Sequence, residues 1–451
     1  MEVRDPIHGA VLVSDEEGHI VDHPFVQRLR GIKQMGFSEL PFPGAVHSRY
    51  AHSVGVMELA GRAFDAITRH GPARLSEPRR AILRSCVRLA ALCHDLGHAP
   101  FSHCTEFAMP KLHQLAIQAY DPRLVAGRLD KLASHEDYTI AILTQSSLAR
   151  AIEAHFPFSG RHVAALVSHE VTVDDDFFLD GGLDWRRVCS QLISSELDVD
   201  RLDYLQRDSY YSGARYGLID VGWLIGNLEC HVSQGSELPT RPGLRGDTVS
   251  LALDHRAIYA FDDFMIARYH MFVMVYFHHK SVVFEEMLKR HFTEAVCRDS
   301  AYPFPTDMEQ YLEMDDVHLH SYLRSSPDPW ARRIVERRAY RRALELHGSQ
   351  REVATDLAVQ VLAEAGIDWL HASSTGKLSR YNVMGQKRGK APRIYVVQRQ
   401  PGCVERVLSL EDATRVFERY QDERHIARIY VPEDRVEAAQ ALMRALPTPA
   451  A

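Results

Sequence analysis

The sequence predicts a mostly α protein: a large helical core followed by a small α+β region at the C-terminus. Three observations predict it. Apolar residues recur three and four apart over most of residues 20–350, the spacing of a helix with one buried stripe. After about residue 372 that period gives way to alternating strand-like and helix-like runs. The 451 residues also exceed the size at which a single core stops growing, so one large domain with a smaller appendage, or two domains, are expected.

Taken in order, the helical runs are "SVGVMELAGRAFDAI", "RRAILRSCVRLAALCHD", "TIAILTQ", "VCSQLISSELDVDRLDYL" and "FMIARYHMFVMVYFHHKSVVFEEMLKRHF". Breakers separate them: Pro41 and Pro43, Gly71-Pro72, Gly181-Gly182, and "TRPGLRG" at 240–246. "VSLAL" after the last breaker reads as a short strand. Beyond it, "STGKLSRYNVMGQKRGK" is polar and basic. "PRIYVVQ" and "RIYVPE" read as strands, "LEDATRVFERYQ" and "RVEAAQALMRAL" as helices.

Composition narrows the class. The formal charge of -7 and the pI near 6.4 argue against a general nucleic-acid binder. Seven cysteines form no CxxC pair and are odd in number, which fits a reducing compartment better than a disulfide framework. The start, MEVRDPIHGAVLV, lacks the plan of a signal peptide, and no apolar run reaches membrane-span length. A cytoplasmic protein without a membrane partner is expected.

The chemistry lies in the helical part. From His52, Val56, Leu59 and Ala63 follow at +4, +7 and +11, so this histidine shares the buried stripe of its helix. Ile82, Cys86, Ala90 and His94 step by four, and Asp95 follows, with Gly97 placed to end the helix. Asp200, Tyr204 and Asp208 fall on one face of a later helix. A buried carboxylate is costly unless paired or bound to a metal. Two histidines and two aspartates form a four-ligand N/O set that suits Fe, Mn, Zn or Ni, and the lack of thiolates argues against a closed structural zinc site. Taken singly, a histidine on an apolar face is more often a satisfied core residue, and an Asp-rich helix face is more often solvated. It is their combination around "HDLGH" that favours a site.

These residues resemble the H…HD…D signature of the HD-domain phosphohydrolases. The stretches "DPIHG", "FVQRLRGIKQMGF", "FPGAVHSRYAHSVGV", "CHDLGHAPFSH" and "LDVDRLDYLQRDSYYSG" extend the resemblance to the dNTP triphosphohydrolase branch, over roughly residues 1–345. That branch includes the mammalian SAM-and-HD-domain enzyme and its bacterial relatives; no SAM domain is expected here. The resemblance implies an HD-type helical core at 1–345, leaving 346–451 as a C-terminal helical and α+β region, with His52, His94, Asp95 and Asp200 as metal ligands. It implies that His98, His103 and His135 contact the α-phosphate, with His103 as general acid and Glu106 holding the cluster. Arg49, Arg201 and Arg268 match phosphate contacts, Arg201 standing where the mammalian enzyme has lysine. Gln34 and Asp208 match groups on the sugar 3′-hydroxyl, and Tyr204 and Tyr276 match tyrosines packed on the sugar, the latter excluding ribonucleotides. A plain core role for these tyrosines is an even alternative when the residues are read alone.

Regulation is implied by the same resemblance. Members assemble as tetramers and respond to nucleotides at subunit junctions, so a GTP or dNTP effector and a homotetramer are expected. Asp22, Gln27 and Arg30 match guanine-recognising residues, and Phe42 a stacking residue. Arg338 and Arg342 in "ERRAYRR" match effector-phosphate contacts four apart on a helix, although that segment by itself reads as a solvated basic helix. The effector elements are thus placed at 1–45 and 330–345. Asp254, with Arg256 nearby, falls where the mammalian enzyme carries a basic effector contact, so the second effector pocket is expected to differ. The stretch "GKLSRYNVMGQKRGKAPRIYV" is either an arm over a neighbour's effector site or an ordinary loop.

The expected activity is metal-dependent hydrolysis of a dNTP, carrying its own Mg²⁺ or Mn²⁺, to deoxynucleoside and tripolyphosphate. Two alternatives stay open. One is an HD phosphohydrolase acting on another nucleotide or phosphoester; the other is a non-catalytic nucleotide-responsive binding protein. The histidine cluster speaks against the last.

Overall fold

In the computed structural model of the chain, residues 1–69, 72–173, 176–233, 247–296, 304–347, 351–376, 394–399, 405–419 and 424–444 are described. The chain opens with an antiparallel hairpin, β1 (Glu2–Asp5) and β2 (Gly9–Leu12), followed by short helices α1 (Asp15–Val21) and α2 (Pro24–Arg28). Ser14 and Glu17 close a reciprocal capping box on α1. The first long helix is α3 (Arg49–Arg69) and the second α4 (Glu77–Cys93), and the two pack along each other. Val56, Leu59, Ala60, Ala63 and Phe64 of α3 are fully buried, as are Leu83, Cys86, Val87, Leu89 and Ala90 of α4. Each large apolar side chain removed from water in this way contributes about 1.5–3 kcal/mol.

Helices α5 (Pro122–Val125), α6 (His135–Gln145), α7 (Ser147–His155) and α8 (Gly160–Val167) extend the core, and α4 and α9 (Arg186–Ile193) pack on α8. The sequence reads residues 188–205 as one helix. The structure breaks it at Ser194–Asp198, because the Asp198 carboxylate accepts from the Arg201 N–H and caps a new helix, α10 (Val199–Ser212). α10 lies across α3 and ends at Gly213, whose φ of 74° is the left-handed C-terminal turn that glycine favours. After α11 (Val221–Gly226) comes α12 (Ile258–Met271). A π-turn over Phe272–Tyr276 joins it to α13 (His279–His291), so the apolar run expected as one helix is kinked. No helix among the described residues is long and apolar enough to cross a membrane.

Two sheets complete the chain. The pairs β3 (Leu179–Asp180) with β4 (Leu183–Asp184) and β5 (Leu228–Ser233) with β6 (Asp247–Asp254) are antiparallel, and β6 contains the strand expected at "VSLAL". β4 also pairs with β6, in parallel. The second sheet has the order β7 (Arg341–His347), β11 (Arg424–Val431), β8 (Leu370–Gly376), all antiparallel. Its core includes Ile429 and Val431, with Ala358 and Leu362 of the Arg351–Glu364 helix and Ala439 of the Val436–Arg444 helix. β9 (Tyr395–Gln398) and β10 (Arg406–Ser409) lie on the first sheet instead, where β9 runs parallel to β6. The α+β expectation for the C-terminal region therefore meets two corrections. Its sheet begins at Arg341, so a boundary at 345 cuts through β7, and part of the region is built into the helical body. "LEDATRVFERYQ" forms two short helices, Leu410–Ala413 and Val416–Arg419, broken at Thr414, which is extended. "TRPGLRG", and residues 377–393 of the basic stretch, lie outside the described residues.

Candidate metal centre and histidine cluster

Three helices converge on one point. His52 comes from α3, His94 and Asp95 from the turn that ends α4, and Asp200 from the first turn of α10. His52 Nε2 stands 3.1 Å from Asp200 Oδ1, and His94 Nε2 stands 3.6 Å from the same oxygen. Asp95 flanks them, Oδ1 at 3.3 Å from His94 Nε2 and Oδ2 at 3.7 Å from His52 Nε2. Neither Nε2 makes a hydrogen bond, although both are buried. The opposite nitrogens are held: His52 Nδ1 lies 2.7 Å from Asp203 Oδ2, and His94 Nδ1 lies 2.7 Å from the Ala91 carbonyl. A carbonyl only accepts, so His94 Nδ1 carries the proton and its neutral ring turns a lone pair inward. Lone pairs of this kind beside carboxylate oxygens fit a divalent cation.

Electrostatics point the same way. Burial depresses the His52 imidazole, yet Asp200 and Asp203 outweigh it and carry the pKa up to about 10. Burial likewise lowers His94, and Asp95 and Asp200 raise it above its ordinary value. Burial raises the Asp95 carboxyl, but His94, Arg49 and His98 hold it well below the usual range. The pocket demands positive charge, and a cation supplies it in place of protons.

Asp203 was not singled out in the sequence, yet it anchors the site. Its carboxylate is fully buried and accepts from Arg207 Nε and Nη2 at 2.8 and 2.9 Å, with His8 Nε2 at 2.6 Å. Arg207 in turn donates to Asp5 at 2.9 Å, tying the β1–β2 hairpin to the centre. Gly55 makes room: a Cβ there would sit 2.1 Å from Asp203 Oδ1. The available signal was the pairing of a glycine on α3 with an Asp and Arg spaced i, i+4 on α10.

Beside the centre lies the histidine cluster. His98 Nε2 is 3.3 Å from Asp95 Oδ1, and its ring stacks on His135 at 3.9 Å. His103 and His135 turn Nδ1 to Glu106 Oε1, at 2.9 and 2.5 Å. Burial raises the Glu106 carboxyl, but these two imidazoles hold it well below the usual range. Burial and the Arg49 charge keep His98 well below its ordinary value, hence neutral. The backbone here is strained. Phe101 and Ser102 both have left-handed φ, 56° and 59°. Asp316 accepts from the Phe101 N–H at 2.7 Å, Phe37 stacks on its ring, and Ser102 Oγ donates to the Lys33 carbonyl. Gly97 serves close approach rather than helix termination: a Cβ there would lie 1.9 Å from the His135 carbonyl.

The expected phosphate and sugar residues line the same region. Arg49 is buried and donates to Asp95 and to Ser102 Oγ. Arg201 is paired with Asp198 at 3.0 Å, and Arg268 lies 3.8 Å from Glu196. Burial lifts the Tyr204 hydroxyl to about 12, against the opposing charges of Arg268 and Arg201. Tyr276 donates to Asp208 Oδ2 at 2.6 Å, while His47 Nε2 faces Asp208 Oδ1 at 2.8 Å; His47 was not anticipated. Gln34 Oε1 and His47 Nδ1 are also buried without partners. Buried orphan polar atoms are uncommon, and five gather here: Gln34 Oε1, His47 Nδ1, His52 Nε2, His94 Nε2 and His98 Nδ1.

The residues expected to bind an effector are more scattered. Gln27 and Arg30 are hydrogen-bonded at 2.7 Å, with Arg30 over the Tyr50 ring. Asp22 is exposed at the end of α1, and among the described residues no side-chain hydrogen bond or ion pair ties it to them. Phe42 meets His278 edge-on, and His278 feels the charges of Arg428 and Arg342. The helix expected at "ERRAYRR" is absent. The preceding helix, Pro329–Val335, ends at Arg337 in a left-handed turn (φ 57°), and Arg342 lies on β7, paired with Glu345. Strand pairing with β11 overrides helical propensity there. Asp254 is engaged by Arg256.

Comparison with known proteins follows this geometry. The HD domain matches residues 49–208, and the HD associated region matches 244–365. The chain is 26% identical over 339 residues to an uncharacterized protein of Methanocaldococcus jannaschii, covering 75% of this chain and 58% of that one. It is 28% identical over 391 residues to an uncharacterized protein of Bacillus subtilis, covering 81% and 76%. It is also 28% identical over 397 residues to the deoxynucleoside triphosphate triphosphohydrolase SAMHD1 of Danio rerio, covering 81% and 58%. The chain thus spans less than two thirds of the length of several curated relatives. The fold is shared with a hypothetical protein of Aquifex aeolicus (TM-score 0.70, 24% identity, 98% and 99% coverage). It is shared too with a phosphohydrolase of Bacteroides thetaiotaomicron (TM-score 0.64, 21% identity, 95% and 99% coverage).

Proposed function

We propose that this chain, an HD-domain protein with an HD-associated region, is a metal-dependent phosphohydrolase that cleaves dNTPs to deoxynucleoside and tripolyphosphate. The observation that carries the reading is the pair of buried, unbonded Nε2 atoms of His52 and His94 beside Asp95 and Asp200. His52, His94, Asp95 and Asp200 would hold a divalent cation, which would supply Lewis-acid charge for attack by water at neutral pH.

The chain's own residues do the rest. Arg49, Arg201 and Arg268 present fixed positive charge to the triphosphate, which enters with its own Mg²⁺ or Mn²⁺. The three differ in freedom: Arg49 is locked by Asp95 and Ser102, while Arg201 shares its charge with Asp198. His103, held by Glu106, gives a proton to the leaving 5′-oxygen. A water oxygen replaces that oxygen at the α-phosphorus, the P–O5′ bond breaks, and atoms balance as dNTP plus water to deoxynucleoside plus tripolyphosphate. Asp208, Gln34, Tyr204 and Tyr276 hold the sugar, and His47 fixes the Asp208 carboxylate from behind. Nucleotide activation through Asp22, Gln27, Arg30, Phe42, Arg338 and Arg342, in a homo-oligomer, belongs to the same proposal. The relatives that act on deoxynucleoside triphosphates support it.

Anion-exchange chromatography of products from each dNTP, with Mn²⁺ or Mg²⁺ and with and without GTP, tests the reading beside an Asp95→Ala control. Deoxynucleoside and tripolyphosphate, absent in the control, are the expected result. A metal-loaded chain that turns over no dNTP under any of these conditions refutes it and transfers the site to another phosphoester.

A further inference from the structure

We infer that the effector's phosphates seat where α13 begins against β7 and β11, on His278, His279, Arg342 and Arg428, and that His279 takes up one proton as they bind, so that activation strengthens as pH falls. The seat and its proton stand on the geometry of these residues; the activation rests on the proposed regulation.

Positive charge outnumbers negative at this junction. Arg342 on β7 and Arg428 on β11 both donate to Glu345 Oε2, at 2.5 and 2.7 Å, and Lys280 stands in the first turn of α13. Burial raises the Glu345 carboxyl, but Arg428, Arg342 and His347 bring it down to about 2, so one carboxylate serves two guanidinium groups. The Arg428 side chain is 6% exposed, and its Nη1 is buried with no hydrogen-bond partner among the described residues. A buried guanidinium nitrogen left unpaired is uncommon, and its fork matches phosphate oxygens. The positive end of the α13 dipole adds to the same field.

The two imidazoles stack at 4.7 Å, and the charges of Arg342 and Arg428 bear on both, yet they are not equivalent. His278 Nδ1 accepts from the Lys280 N–H at 3.2 Å and caps α13. An amide only donates, so the proton of His278 sits on Nε2, and the ring is a neutral donor that a second proton would uncap. The His279 ring makes no such bond among the described residues; only its carbonyl is engaged, accepting from the Tyr430 hydroxyl at 3.1 Å. Burial lowers His279 to about 4, with Arg342, His278 and Arg428 acting in the same direction and Glu345 against them. His279 is therefore neutral near pH 7 until an anion arrives. A phosphate dianion outweighs those cations and raises the imidazole, so the bound state holds one more proton. Affinity accordingly rises as pH falls, by about tenfold per pH unit between the free and bound pKa values.

Calorimetry of the full chain in buffers of different ionisation enthalpy counts the protons, with GTP and inorganic tripolyphosphate as probes. Each probe should bind the wild type with one more proton taken up than His279→Asn, a difference that cancels the probe's own titration. His279→Lys carries its charge permanently and should bind both probes without the extra proton. His278→Asn keeps a capping side chain and should retain it. Arg428→Gln should weaken both probes by about tenfold or more, and so should Arg342→Gln, at a part-exposed position that does not threaten folding. In the dNTP assay, half-maximal activation should need more GTP as pH rises in the wild type but not in His279→Lys. A wild type that holds neither probe, or binding unchanged in both arginine variants, overturns the seat. Equal proton counts in the wild type and His279→Asn overturn the proton link. Tripolyphosphate held with its proton while GTP is not held refutes the nucleotide-effector reading and leaves the seat standing. Both probes held with the proton, and turnover indifferent to GTP, refutes the activation alone.

Discussion

Replacing Asp203 by asparagine should cost the centre its metal before it costs the chain its fold. The carboxylate is fully buried and receives Arg207 through two nitrogens, His52 through Nδ1, and His8. An amide keeps one accepting oxygen and turns an NH₂ toward groups that are themselves donors. Two consequences follow. Arg207, also fully buried, keeps only Asp5 as a full ionic partner, and breaking a buried pair costs about 3–5 kcal/mol. His52 loses the charge that fixes its Nδ1–H, so its Nε2 no longer reliably presents a lone pair. Losing such an orienting partner weakens metal affinity roughly 10–100-fold. Asp203→Glu is no rescue, because Gly55 already leaves Asp203 Oδ1 without spare room. Competition against a chromophoric chelator reads the affinity, and the urea midpoint reads stability. Unchanged metal affinity with a lowered midpoint would show that Asp203 is merely structural; no change in either would show that the network does not form.

Three other outcomes are expected. Burial, with the charge of Glu286 beside it, raises the Glu285 carboxyl from 4.5 to about 7, so folding takes up a proton there; the stability this group favours is present below about pH 4.5 and is lost as pH rises toward 7. Glu285→Gln should flatten that part of the urea-midpoint profile, and an unchanged slope refutes the assignment. Gly97→Ala forces a methyl against the His135 carbonyl and should destabilise by about 1–3 kcal/mol while lowering kcat, read by urea unfolding and product assay. Arg49→Lys keeps charge but cannot reach Asp95 and Ser102 together, and should lower kcat/KM by roughly 10²-fold with little change in the unfolding midpoint.

The parts legible in the sequence were those with a period or a local rule. The stripe through His52, Val56 and Leu59 located α3 and showed that the histidine points inward, and the four-step through Cys86 and Ala90 did the same for His94. Long-range partners left no such trace. His8 meets Asp203, and Asp5 meets Arg207, only because the hairpin folds back on the helices, and nothing local marks them; the i, i+4 spacing of Asp203 and Arg207 on α10 was the one local sign. His47 looked like part of a motif rather than the support of Asp208. The misread helix at "ERRAYRR" failed for the opposite reason: its local propensity is helical, and the strand that claims it, β11, lies some 80 residues away. The arginines proposed to face phosphate were named through resemblance alone, since an arginine on an apolar helix carries no period of its own.

One feature of the sheet bears on how the chain is made. β6 receives β9 along Ala252, Leu253 and Asp254, and the arginine that follows β9, Arg399, clamps the buried Glu229 on β5 with both terminal nitrogens. Strand and clamp leave the ribosome roughly 140 residues after β6 itself, which at bacterial or eukaryotic elongation rates is about 7–30 s. Throughout that interval the emerging chain exposes an open strand edge, which invites association with other nascent chains. Synthesis halted between β8 and β9 should therefore yield aggregate rather than a soluble fragment.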